Sequence, residues 1–177
     1  FADEAIAIKQ SGFVATKMKV GLGPKPDLEL AAAVRKAIGD DYRFMVDANH
    51  CYTTSDAFHV GRGLEDLNAY WFEEPIAPED HAGYRELRAG LKINISGGEA
   101  EFNRWGWRSL LETRGLDIAQ PEVCALGGIS EYLRVLALCH GHFTPVVNHV
   151  WGSAVAVAAN MHLLAAMPNL PGGLHPW

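Results

Sequence analysis

Three carboxylates (Asp47, Glu73 and Glu99), two lysines (Lys17 and Lys19) and one imidazole (His149) are the residues whose types and spacing could do chemistry here. Each carboxylate closes a short run, in Phe-Met-Val-Asp, Tyr-Trp-Phe-Glu and Ile-Ser-Gly-Gly-Glu. Anions brought side by side repel unless a cation sits among them. Oxygen ligands without histidine or thiolate favour a hard ion, and three of them leave positions for water and substrate. Mg2+ is therefore the expected cofactor, with Mn2+ the nearest alternative. Salt bridges to arginine would also neutralise such a set, although few arginines lie close to these runs.

In Thr-Lys-Met-Lys-Val, strand alternation puts Lys17 and Lys19 on one face and Met18 on the other. Two close ammonium groups are expected to lower each other's pKa, which turns a lysine into a base near neutral pH. A solvated edge strand is the plainer account of the same pair. His149 is expected to pair with Glu122, because a carboxylate holding one ring nitrogen fixes the tautomer and raises basicity. Asn49 and His50, just after Asp47, and Trp151, beside His149, are candidate substrate contacts.

Lys19, Asp47, Glu73, Glu99, Glu122 and His149 recur at intervals of roughly 23 to 28 residues, one strand-and-helix unit per step. The strands that must position them are expected at 16–20, 44–49, 70–74, 93–99, 118–122 and 144–149. Helical patterns fill 3–10, 26–38, 54–67, 82–89, 103–114, 130–140 and 153–166. Alternation of this kind argues for α/β structure with a parallel sheet, in which polar residues at the carboxyl ends of strands build the site. Residues 1–177 are read as a single domain without a linker. Trp105 and Trp107 lie in a helical stretch where packing is expected.

The chain is 49% apolar with a net charge of −6 spread along its length, so it lacks the basic surface that nucleic acid requires. Ala154 to Met167 is interrupted by Asn160 and His162 and is shorter than the ~20 residues of a membrane helix. Cys51, Cys124 and Cys139 form neither a disulfide framework nor a zinc pattern, which suits the cytoplasm. The start at Phe1, without methionine or leader, reads as a piece of a longer protein.

The segments Gly-Phe-Val-Ala-Thr-Lys-Met-Lys-Val-Gly, Met-Val-Asp-Ala-Asn, Trp-Phe-Glu-Glu-Pro, Gly-Gly-Glu, Gln-Pro-Glu and Asn-His-Val-Trp-Gly-Ser span most of the chain. Together they resemble the mandelate racemase and muconate lactonizing group of the enolase superfamily. The resemblance implies a partial TIM-type (β/α) barrel carrying strands two to seven of the C-terminal domain, without the capping domain and closing strands. It implies metal ligation by Asp47, Glu73 and Glu99, Lys19 as base with Lys17 beside it, and a His149–Glu122 dyad. Position 122 is usually Asp in that pattern, so Glu adds one methylene.

Lysine or histidine bases acting with magnesium on an enediolate are the established pattern of that superfamily. The implied enzyme is a magnesium-dependent lyase or isomerase that removes the proton α to the carboxylate of a sugar acid, with dehydration or isomerization as the outcome. Racemization, epimerization and lactone cycloisomerization share that first step. A small-molecule carboxylate is the expected partner, with no nucleic acid and no membrane, and the full-length form is expected to be a homo-oligomer. Two other classes stay open: a Schiff-base aldolase using Lys17 or Lys19, and a non-catalytic module that keeps the fold.

Overall fold

The computed structural model describes residues 1–167. The chain divides into two compact units, one covering Phe1–Ile95 and the other opening at Ser96.

In the first unit α1 (Ala2–Gln10), β1 (Ala15–Lys19), α2 (Pro24–Ile38), β2 (Arg43–Asp47), α3 (Thr54–Asp66), β3 (Trp71–Glu73) and α4 (His81–Gly90) follow one another. β1 pairs with β2 and β2 with β3, in parallel throughout. The helices form where the apolar spacing demands them. In α2 the buried positions Ala31, Val34, Arg35 and Ile38 recur at helical intervals, and prolines occupy its first turn, where a missing N–H costs nothing. Thr53 caps α3 and Asp80 caps α4 by accepting backbone N–H bonds. Phe44, Val46 and Phe72 on the strands and Ala31, Val34, Ala57 and Val60 on the helices are all buried. Arg35 is buried with them because its guanidinium donates to the carbonyls of Leu67, Gly39, Tyr42 and Asn68.

β4 (Asn94–Gly97) crosses the division between the units. In the second unit, its Ser96 and Gly97 pair in parallel with Ile118 and Ala119 of β5 (Ile118–Ala119). α5 (Arg104–Glu112), α6 (Ile129–Gly141) and α7 (Ala154–Ala166) complete this unit, whose core includes Trp107, Tyr132, Val135 and Cys139.

The α/β class and parallel pairing match expectation, but the expected strand at 144–149 does not form. Only an isolated bridge joins Val146 to Ala119. Pro145 supplies a carbonyl to Ala119 but has no N–H to give, so the ladder stops after a few bonds. β4 and β5 are also shorter than expected, which leaves Glu99 and Glu122 in the segments just beyond them. Trp107 is buried as expected, whereas Trp105 is 67% exposed, because only one of two positions two apart on a helix can face the core.

Candidate active site

The register of the first unit sets its chemistry. Lys19 stands opposite Asp47, Lys17 opposite Met45, and Asp47 opposite Glu73. Alternation therefore sends both lysines and both carboxylates to one face, while Met18 is buried on the other. Lys17 Nζ lies 2.8 Å from Asp47 Oδ2 and 2.6 Å from Glu73 Oε1, bridging two carboxylates with no solvent exposure. Lys19 Nζ lies 2.6 Å from Asp47 Oδ2 and donates to Asn49 Oδ1 at 2.5 Å. The ladder continues past the strand ends, with Ala48 N–H on the Glu73 carbonyl and His50 N–H on that of Glu74.

Burial would push the Asp47 carboxyl up, but the ammonium groups of Lys17 and Lys19 outweigh it and hold it below its ordinary value. Burial likewise favours a lower value at Lys17, yet Glu73 and Asp47 raise it. The expected lowering is thus reversed at Lys17, because two carboxylates in direct contact outweigh its burial. Asp47 and Glu73 are buried, all-oxygen donors on paired strand ends, which fits a hard divalent cation. Among the described residues, no three His, Cys, Asp or Glu side chains are drawn together as a group that could hold a metal ion.

In the second unit His149 is 16% exposed and is held at both ring nitrogens. Nδ1 lies 3.0 Å from Glu122 Oε2 and Nε2 lies 3.0 Å from Glu99 Oε2. The dyad with Glu122 therefore forms despite the longer side chain. Burial disfavours the imidazolium, but Glu99 and Glu122 reverse this and raise the His149 pKa. Glu122 is itself fixed by the N–H groups of Cys124 and Trp151, each 3.1 Å away. The Trp151 ring is 80% exposed, so within this unit the backbone N–H is its contribution to the dyad.

Gly98, with φ at +113°, turns the chain between β4 and Glu99, and a Cβ there would stand 2.3 Å from the Trp107 ring. Tyr132 donates to Asn148, whose amide donates to Asn160 at 2.8 Å, tying the segment before His149 to α6 and α7.

Several contributors escape the sequence reading. His50 Nε2 meets the buried Glu74 carboxylate at 2.5 Å, and Asn49, His50 and Glu74 all have positive φ. The signal was the second glutamate in Glu-Glu-Pro. Trp71 donates its indole N–H to Glu73 Oε2 at 3.0 Å, a contact that Trp-x-Glu on a strand could have announced. Asp27, fully buried, accepts from the N–H groups of Gly21, Leu22 and Gly23 and from the Tyr52 hydroxyl. It thereby ties the loop after Lys19 to the loop after Asp47. Burial first, then Asp27, pushes the Tyr52 phenol well above its ordinary value, so it stays a donor.

Residues 1–174 match the enolase C-terminal domain-like family. D-galactarolactone cycloisomerase of Agrobacterium fabrum is 41% identical over 175 residues, 99% of this chain and 46% of that protein. L-talarate/galactarate dehydratase of Salmonella typhimurium is 32% identical over 170 residues, 96% of this chain and 40% of that protein. A solved form of a dehydratase of that name, liganded with Mg and L-glucarate, superposes with a TM-score of 0.86 at 31% identity, covering 94% of this chain and 41% of its own. The crystal structure of 3,6-anhydro-D-galactonate cycloisomerase from Zobellia galactanivorans gives a TM-score of 0.91 at 45% identity, covering 93% of this chain and 47% of its own. The chain spans about half the length of the curated relatives it matches. Among the described residues, no helix is long and apolar enough to cross a membrane.

Proposed function

The chain belongs to the enolase C-terminal domain-like family, and from that premise we propose that the full-length protein removes the proton α to the carboxylate of a sugar acid with the help of Mg2+. The observation that carries this reading is the pair of buried carboxylates, Asp47 and Glu73, standing on paired strand ends against Lys17 and Lys19. A hard cation held by Asp47 and Glu73 would supply positive charge to offset the negative charge that builds as the α-proton leaves.

The chain's own residues divide the remaining work. Lys17, whose pKa is raised, keeps its proton near neutral pH and steadies the substrate carboxylate. Lys19, 52% exposed on the same face, releases its ammonium proton to solvent and, as the neutral amine, takes the α-proton at Nζ. His149, oriented through Nδ1 by Glu122, uses Nε2 for the second proton transfer, to a departing hydroxyl or to the neighbouring carbon. Asn49 and His50, after β2, and Trp151 would contact the substrate. Dehydration or isomerization of a sugar acid is the proposed outcome. The likeness to D-galactarolactone cycloisomerase supports lactone cycloisomerization as the second reading. The wider expectations of cytoplasmic location and a homo-oligomeric full-length form belong to the same proposal.

The test is proton exchange in D2O by the full-length protein with Mg2+ and a panel of aldonic acids, aldaric acids and their lactones. Lys19→Ala is expected to abolish exchange at the α-carbon, while His149→Asn keeps exchange and loses product, each by ~10²-fold or more. Exchange that survives both EDTA and Lys19→Ala, or a borohydride-trapped adduct on Lys17 or Lys19, would overturn the proposal.

A further inference from the structure

Glu73 has no solvent exposure, and its two oxygens are engaged by chemically different donors. Oε1 receives the Lys17 ammonium at 2.6 Å, and Oε2 receives the indole N–H of Trp71 at 3.0 Å. The Trp71 contact follows from the strand, since positions 71 and 73 share one face of β3. An indole is a donor only and carries no charge, so it neither competes for a cation nor changes with pH in the working range. A buried carboxylate turns freely about its last torsion unless a donor fixes it. Trp71 is itself 8% exposed and its ring lies against that of Tyr70 at a tilt, with centroids 5.8 Å apart, which limits how far its N–H can swing.

We propose that Trp71 is a positioning residue for Glu73: its indole N–H holds Oε2 so that Oε1 alone is presented to the cationic group on the lysine face. The inference rests on the reading of Glu73 as a metal ligand and adds what orients it. Donors to ligating carboxylates set their orientation, and losing one typically costs 10- to 100-fold in metal affinity.

The test uses the full-length protein and calorimetric titration with Mg2+ or Mn2+, without substrate. Trp71→Phe keeps an aromatic ring on the same strand face and removes the donor with part of the indole. Its metal dissociation constant is expected to rise by about 10-fold or more, while kcat at saturating metal changes far less. A role in packing alone would lower the melting temperature and leave the metal affinity unchanged. A second measurement does not depend on that variant folding well. In wild-type protein carrying 5-fluorotryptophan, the Trp71 fluorine signal, assigned by its loss in Trp71→Phe or Trp71→Tyr, is expected to shift on metal addition and to stop shifting in Glu73→Gln. Wild-type protein that binds no metal overturns the ligand reading of Glu73. Wild-type and Trp71→Phe proteins that bind metal equally, or a Trp71 signal indifferent to metal, overturn the positioning role alone.

Discussion

Glu122 uses its extra methylene. Oε2 reaches both His149 Nδ1 at 3.0 Å and the Trp151 N–H at 3.1 Å, while Oε1 takes the Cys124 N–H at 3.1 Å. Shortening the side chain by one carbon, about 1.5 Å, would stretch the imidazole contact past hydrogen-bonding distance unless the backbone follows. Glu122→Asp in the full-length protein is therefore expected to lower kcat by about 10-fold or more with little change in metal affinity, read from steady-state kinetics beside a metal titration. An unchanged kcat would mean that Glu99, at the other ring nitrogen, orients His149 by itself. The pairing of His149 with Glu122 was legible in the sequence because the two close successive repeats. Its contact with Glu99 was not, since Glu99 lies beyond β4 and reaches the ring only through the turn at Gly98. Lys17 shows the same boundary. Alternation foretold the face it shares with Lys19, but the direction of its shift depends on Asp47 and Glu73, brought close by the register of three strands.

Elements were easier to foresee where one periodicity governs them and harder where pairing does. Among the described residues the seven helices match their expected spans to within a few residues, whereas the segment at 144–149 has an apolar run but lacks the donors for a full ladder. How helices are tied at their ends was not legible, and α5 and α6 show it. Arg104, opening α5, donates side-chain bonds to both oxygens of Glu131 in the first turn of α6, at 2.7 and 2.5 Å, and its backbone N–H adds a third at 3.0 Å. Those bonds, led by the guanidinium, hold the Glu131 carboxyl down at about 2, from an ordinary value of 4.5. A depressed carboxyl contributes stability that is fully present above its unfolded value and is lost as pH falls through the folded one. Wild type and Glu131→Gln should therefore differ in melting temperature at pH 7, converge as pH drops from about 4.5 toward about 2, and coincide below that. A difference in melting temperature that persists undiminished from pH 7 to below pH 2 would show that the tie works through shape and not through charge.

At the scale of the whole molecule, the surface of α7 decides how this chain behaves in solution. Its inner stripe, Ala156, Asn160 and Leu163, recurs at helical spacing and is buried within the second unit. Val155, Val157, Met161 and Leu164, on its other sides, are exposed. A helix that is apolar on every side is the kind found inside proteins, and a contiguous exposed apolar surface drives association. The 177-residue chain alone is therefore expected to self-associate, with a sedimentation coefficient that rises with concentration. Val155→Lys with Met161→Lys should reverse this without unfolding the chain, because neither side chain contributes to the core. The same pair in the full-length protein separates two meanings of the surface. If α7 is covered there, burying two lysines should lower the melting temperature by several degrees, since an unpaired buried charge is costly. If α7 stays open, the double variant should melt as wild type does. A 177-residue chain that stays monomeric at high concentration with Val155 and Met161 intact would remove the premise and leave α7 as an ordinary surface helix.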